Sequence, residues 1–366
     1  MVILVKARYI QLLNALVKNP TASFNQLAKV LGVSPSTVRN AFNTLVSEEY
    51  ISLIYAIVNY PAIQREIVAT FIEAPSKTWP VLERALDEFF YLRTRARCIG
   101  VISGVHAFFA IPTGTLPYLR EFLDTLKDLN LLGSYNILTP ATKWFYSEPN
   151  FTVFDKEDFT WNVNWIEWKN LISTVEPEVI EVPSRSLMDR LTLADFKILD
   201  RLTIRARISK TELARFAGLK SYELSRRLKF LHGNKVILKY RVALGAKFLE
   251  RLTNLAINAK CSSKTTRRLA AAFKTLPYQS TFIPTKEGFL LYTLIPSKDF
   301  INLSAILHDY CDRIEVAWLD YRHSKVWNIA YEAYRDGKWD SSYEFMVEQP
   351  LRNIREKLMK STPYPQ

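Results

Sequence analysis

Apolar residues along this chain switch period at set places, and the same switches come round a second time. In TELARFAGLKSYELSRRLKFL (211–231), Leu213, Ala214 and Ala217 mark a short helix, and Leu224, Leu228 and Leu231 fall at i, i+4 and i+7 on the next. Gly218 separates them, because a sharp helix end favours a residue that accepts positive φ. Just upstream, LTLADFKILDRL (191–202) opens with Thr192 and Asp195 near a capping arrangement and turns Phe196, Ile198, Leu199 and Leu202 inward. Residues 25–45, NQLAKVLGVSPSTVRNAFNTL, carry the same pattern 186 positions earlier, with Leu27, Ala28, Gly32, Val38, Phe42 and Leu45 in register. There Ser34-Pro35 supplies a cap and a preset first turn. Two three-helix units are predicted, with short wing strands in ISLIYAIV (51–58) and ILKYRVAL (237–244).

After each unit the rhythm becomes β-α-β-β-α-β, the ferredoxin-like order. REIVATFIEA (65–74) has the apolar content of a buried strand. Val81, Leu82, Ala85, Leu86, Phe89 and Phe90 make a helix face, and two strands meet near Gly104. Leu119, Phe122, Leu123 and Leu126 form a second stripe before SYNIL closes the set. The second copy follows through LTNLAINA, a helix with Leu269, Ala272, Phe273 and Leu276, strands around Gly288, a helix with Leu303 and Leu307, and IEVAWL. ISGVHAFFAIP (102–112) and TKEGFLLYTLIP (285–296) align on Gly104 and Gly288. An aromatic segment trails each sheet, at 144–168 and 318–339, and is expected to cap the exposed sheet face. The acidic, proline-bearing stretch 173–186 divides the copies.

The expected fold class is therefore α+β: two repeats, each a winged helix-turn-helix, a ferredoxin-like βαββαβ domain and an aromatic extension. The predicted boundaries are 1–60, 61–140 and 141–183 for the first repeat, and 184–248, 249–325 and 326–366 for the second.

Charge separates two copies that pattern alone makes alike. The whole chain carries +13, and residues 201–241 hold twelve lysines and arginines against two acids. Residues 1–60 hold five against two. A basic excess concentrated on a recognisable binding element suits a polyanion. Three scattered cysteines, Cys98, Cys261 and Cys311, fit a reducing compartment rather than a disulfide framework or zinc site. No apolar run approaches the roughly 20 residues that span a bilayer, and MVILVKARYIQLL makes a poor secretory signal. A cytoplasmic protein without membrane contact is expected. No Gly-rich phosphate loop, metal-ligand cluster or nucleophile–base arrangement stands out, so no cofactor, metal or catalytic residue is assigned.

The run 195–238, a helix-turn-helix leading into βαββαβ, resembles the Lrp/AsnC (feast/famine) transcription regulators. The resemblance implies double-stranded DNA as partner, with RNA polymerase or other transcription proteins as further candidates. It also implies ferredoxin-like domains paired sheet to sheet, here within one chain as a covalent pseudo-dimer, with homo-oligomers open. One motif departs from it. Where the family carries an aspartate three residues after the hairpin glycine, this chain has Ala107 after Gly104 and Leu291 after Gly288, so amino-acid sensing is not carried over.

A helix that buries Leu224, Leu228 and Leu231 points Tyr222, Ser225, Arg226 and Lys229 outward, and these are the expected base-facing residues of the second unit. Ser36, Arg39, Asn40 and Asn43 are their counterparts in the first. Arg226 suits a guanine edge and the asparagines an adenine edge. Lys220, Arg227, Lys239 and Arg241 are the expected phosphate contacts. On this reading the second headpiece anchors the chain while the first selects sequence or contacts protein. Two alternatives stand beside it. The same architecture is similar to that of siroheme decarboxylases, for which the candidates are His106, His232, His308 and His323. The other is an architectural or polymerase-associated factor with little sequence preference.

Overall fold

Local caps define the helices of both headpieces. A computed structural model describes residues 7–141, 143–180 and 185–361. The first headpiece comprises α1 (Ala7–Lys18), α2 (Phe24–Leu31) and α3 (Pro35–Ser47). Ser23 and Gln26 form a reciprocal capping box on α2, Gly32 ends it at φ 65°, and Ser34 caps α3. A wing, β1 (Ile51–Val58), leads into β2 (Arg65–Glu73), α4 (Trp79–Asp87), β3 (Leu92–Gly100), β4 (Gly104–Pro112), α5 (Leu116–Asp128) and β5 (Ser134–Leu138). The first extension holds β6 (Phe145–Ser147), the small hairpin β7 (Phe154–Asp155) and β8 (Thr160–Trp161), and α6 (Trp165–Thr174).

The second repeat restates this order. Its headpiece is α7 (Leu193–Leu202), α8 (Lys210–Ala217) and α9 (Ser221–Gly233), followed by β9 (Ile237–Leu244) and the short α10 (Ala246–Leu249). Its ferredoxin-like part is β10 (Thr253–Lys260), α11 (Ser263–Phe273), β11 (Ser280–Thr285), β12 (Gly288–Ile295), α12 (Ser297–His308) and β13 (Arg313–Val326). The second extension holds β14 (Tyr334–Arg335), β15 (Lys338–Trp339), a π-helical turn at Glu344–Glu348 and α13 (Gln349–Ser361).

The two repeats interlock. One sheet runs β5-β2-β4-β3-β13-β10-β12-β11-β6, which is one ferredoxin-like order followed by the other. β13 is the joint: its first half pairs with β10 and its second half with β3 of the other repeat. β5 and β6 do the reverse, pairing with β2 and with β11 respectively. The first and last strands of the sheet are thus neighbours in the chain, so the sheet wraps upon itself. Inside lie Phe71, Cys98, Ile283, Leu290 and Ala317, contributed by both repeats.

Two sequence expectations are corrected here. Each wing is a single strand, and β1 pairs antiparallel with β9 across the repeats rather than with a strand of its own unit. A lone strand leaves its backbone groups unpaired, and the duplicate supplies the missing partner. Apart from Trp144, which packs on Phe108 with ring centroids 6.0 Å apart, the aromatic extensions do not cap the inner sheet face, because the sheet closes on itself. The fourth strand of each repeat crosses to the other, so each extension lands on the opposite repeat's helices. Trp168 Nε1 donates to Ala272 O at 3.1 Å and Trp165 Nε1 to Asp299 Oδ1 at 3.0 Å. Likewise Trp339 Nε1 donates to Ile63 O at 2.6 Å, and Tyr343 and Phe345 pack on Tyr118 of α5 and on Phe90 just after α4, with ring centroids 5.6 and 4.9 Å apart. The larger cores are crossed in the same sense: Leu12, Leu16 and Leu45 of the first headpiece share one with Phe151, Phe248 and Phe273.

Candidate nucleic-acid interface

Side-chain caps and an apolar stripe orient each third helix. On α3, Ser34 Oγ accepts from Thr37 N at 3.1 Å, and Val38 and Leu45 are buried. Ser36, Arg39, Asn40 and Asn43 consequently stand exposed on the outer side. The Arg39 guanidinium lies 5.6 Å from the Phe24 ring, which steadies it without hiding it. On α9, Leu224 and Leu231 are buried, and Tyr222, Ser225, Arg226 and Lys229 are exposed. Ser225 Oγ donates back to Ser221 O at 3.0 Å. Arg226 and Lys229 have no hydrogen bond or ion pair among the described residues. Lys220 is exposed as well, and its backbone N–H donates to Glu223 Oε2 at 2.8 Å.

Three of the four expected phosphate contacts are engaged inside the protein. Arg227 turns inward to Asp195, a carboxylate with no exposed surface, donating from Nε to Oδ1 at 2.7 Å and from Nη2 to Oδ2. Its guanidinium also lies 4.5 Å from the Phe230 ring. Arg241 is 3% exposed. It donates from Nε to both oxygens of Glu148, at 2.9 and 3.1 Å, from Nη1 to Thr281 Oγ1, and from Nη2 to the carbonyls of Ser147 and Ser280. Lys239 Nζ donates to the same Glu148 at 2.6 Å. A local helix-face argument has no access to a carboxylate about ninety residues away, and Glu148 carries no signal of its own in the sequence.

Sequence reasoning also passed over Arg207, counted only within the basic excess. From the loop between α7 and α8 it reaches the first headpiece, donating from Nη1 to Pro20 O at 3.0 Å and Ala22 O at 2.7 Å. Its guanidinium sits 4.9 Å from both the Phe24 and Phe42 rings. Burial pushes its pKa down. With Ala206 N donating to Ile54 O, this side chain binds one headpiece to the other.

The four histidines occupy four different elements. His106 is buried on β4, with Nδ1 2.7 Å from Thr70 O and Nε2 2.7 Å from Tyr292 Oη. His232 ends α9 beside Tyr240, His308 ends α12, and His323 on β13 contacts Asp320. No cluster of three or more metal-ligating side chains occurs among the described residues.

Beneath the wing ribbon lies a cavity of about 420 Å³. Its roof is β1 and β9, and its floor includes Phe108 and Tyr292 of the wrapped sheet. Among the described residues its lining holds two cations, Arg93 and Arg241.

The architecture is thus a tandem winged helix-turn-helix and ferredoxin-like protein closed into one body. A family profile described as winged helix-turn-helix DNA-binding matches residues 10–52. No curated protein sequence matches the chain. Among solved structures, the siroheme decarboxylase NirDL in co-complex with an iron-uroporphyrin III analogue has a TM-score of 0.55 at 10% identity, covering 96% of this chain and 99% of that one. NirDL solved by itself gives 0.54 at the same identity and coverage. AsnC of E. coli matches 37% of this chain over 91% of its own, at 16% identity and a TM-score of 0.30. At these identities the full-length likeness shows shared fold.

Proposed function

We propose that this chain is a double-stranded DNA-binding regulator that grips DNA as an intramolecular pseudo-dimer. The observation that carries the reading is the outer face of α9, where Arg226 and Lys229 stand exposed and, among the described residues, unpaired, while Arg227 and Arg241 are consumed within the protein. Free cations and polar side chains on a third helix suit a major-groove contact. Arg226 takes the base-edge role, Tyr222, Ser225 and Lys229 flank it, and Lys220 with exposed Lys210 and Arg215 lies toward phosphate. The profile match over residues 10–52 supports the same role for Ser36, Arg39, Asn40 and Asn43. Fewer cations surround that face, so it contributes more to selection than to affinity. Joining both headpieces in one chain raises the effective concentration of the second once the first has bound. Footprinting on genomic and random duplexes tests this. Protected sites confined to particular genomic sequences are expected, whereas uniform coverage favours an architectural factor.

The full-length likeness to NirDL motivates a second reading, a siroheme-decarboxylase-like enzyme. A polycarboxylate macrocycle requires several convergent cations, and the cavity lining does not fit that demand: it is mostly apolar, and Arg241 has its donors engaged. Titrating the purified protein with a tetrapyrrole separates the readings. An unchanged visible spectrum is expected, and a saturable shift contradicts the regulator.

A further inference from the structure

We infer that the cavity beneath the wing ribbon binds a small aromatic acid, and that its occupancy adjusts DNA binding. The regulatory half rests on the DNA-binding reading above, and the binding half does not. At about 420 Å³ the cavity falls within the roughly 300–1,000 Å³ typical of small-molecule sites. The rings of Tyr55, Tyr60, Phe108, Trp144, Tyr146 and Tyr292 line it, which suits a molecule of one or two flat rings.

Arg93 supplies the polar anchor. It is 9% exposed and lines the cavity from β3. Its Nε donates to Tyr60 Oη at 2.8 Å, while its Nη1 is buried with no hydrogen-bond partner among the described residues. No ion pair to Arg93 exists among the described residues. A buried cationic donor left unpaired is costly, so the site is completed by an acceptor brought from outside. Two of the other charged groups nearby are held within the protein. Glu66 on the same wall accepts from Gly114 N at 3.0 Å, and Arg241 is held by Glu148. Asp200, whose carbonyl accepts from the lining residue Thr203 on the headpiece side, is pushed up to about 6 by burial and then by Glu332. Arg201, Asn328 and Arg93 act in the opposite direction, and its Oδ1 is buried with no hydrogen-bond partner among the described residues.

Position supplies the regulatory half. The roof belongs to the ribbon that joins the two headpieces, and the floor belongs to the sheet. A ligand touching both braces the headpieces at one angle. It alters DNA affinity to the extent that this angle differs in its fit to DNA.

The test uses the full chain and two probes: 1-anilinonaphthalene-8-sulfonate, whose sulfonate stands in for a carboxylate, and the uncharged N-phenyl-1-naphthylamine. The expected result is one saturable sulfonate site per chain, bound at least tenfold more tightly than the neutral probe. Ala243→Phe, which fills the cavity from β9, abolishes that site. Arg93→Gln brings the sulfonate down to the neutral probe's affinity and leaves neutral binding unchanged. Circular dichroism and thermal melting establish that each variant is folded. If folded Ala243→Phe keeps the wild-type sulfonate isotherm, the cavity assignment is overturned. Equal affinity of the two probes for the wild type overturns the acid. Saturating sulfonate should shift the midpoint of DNA binding at least threefold, and an unmoved midpoint overturns the regulatory half. A protein that binds the sulfonate but no DNA sinks the proposed function and the regulatory half while leaving the site itself standing.

Discussion

Arg227 and Asp195 show how one residue can be assigned two opposite roles. On a helical wheel Arg227 flanks an exposed face, yet in the fold it neutralises a carboxylate that already caps α7 through Thr192 N at 2.8 Å. Removing the cation strands a fully buried charge. Arg227→Ala is expected to cost about 3–5 kcal/mol of stability, measured by denaturant unfolding, and to leave the salt dependence of DNA binding unchanged. His106 makes a second prediction. With Nδ1–H donating to Thr70 O and Nε2 accepting from Tyr292 O–H, the neutral ring is satisfied, and burial pushes its pKa down to about 4. An unfolded histidine titrates near 6.5, so between these values the unfolded state binds the extra proton. Its contribution is present above about pH 6.5 and is lost as pH falls towards 4, by about 3 kcal/mol in all. His106→Gln should flatten the wild-type decline in melting temperature across that window. Parallel pH profiles contradict the assignment.

At the scale of elements, the duplicated hairpin glycines explain themselves by contact. A Cβ on Gly104 would lie 2.0 Å from Ile72 O, and one on Gly288 would lie 2.1 Å from Ala259 O, the matching strand of the second repeat. Gly104→Ala is therefore expected to destabilise by roughly 1–3 kcal/mol. Gly133→Ala, whose nearest neighbour would be 3.9 Å away, should stay within about 0.5 kcal/mol by the same denaturant measurement. Elements such as these were legible because their causes are local: caps at Ser34 and Thr192, the stripe of Leu224 and Leu231, the alternation of strand and helix. The pairing of β1 with β9, the crossing of β13 and the seizure of Arg241 by Glu148 were not. Each depends on a partner in the other repeat, and sequence periodicity fixes which face is apolar without fixing what covers it. For the same reason the outward faces of α3 and α9 could be read in advance, whereas the flanking cations could not.

On the scale of the whole molecule, the two repeats exchange strands, extensions and cores, so the headpieces stand on a single body. Arg207 adds a direct tie by meeting Pro20 and Ala22 of the first headpiece. Arg207→Ala should leave each headpiece folded but weaken binding to DNA that engages both, with little effect on binding through one. Duplexes carrying a whole site and a half site check this by fluorescence anisotropy. The most direct measurement of all is a salt titration of duplex binding by the wild-type protein and by the Lys210→Ala/Lys220→Ala variant, which removes two of the cations placed toward phosphate. The account predicts tight binding at low ionic strength and a plot of log K against log salt whose slope is shallower by roughly 2 in the folded double variant. Failure of the wild type to bind duplex at low salt, or identical slopes for the two proteins, contradicts it.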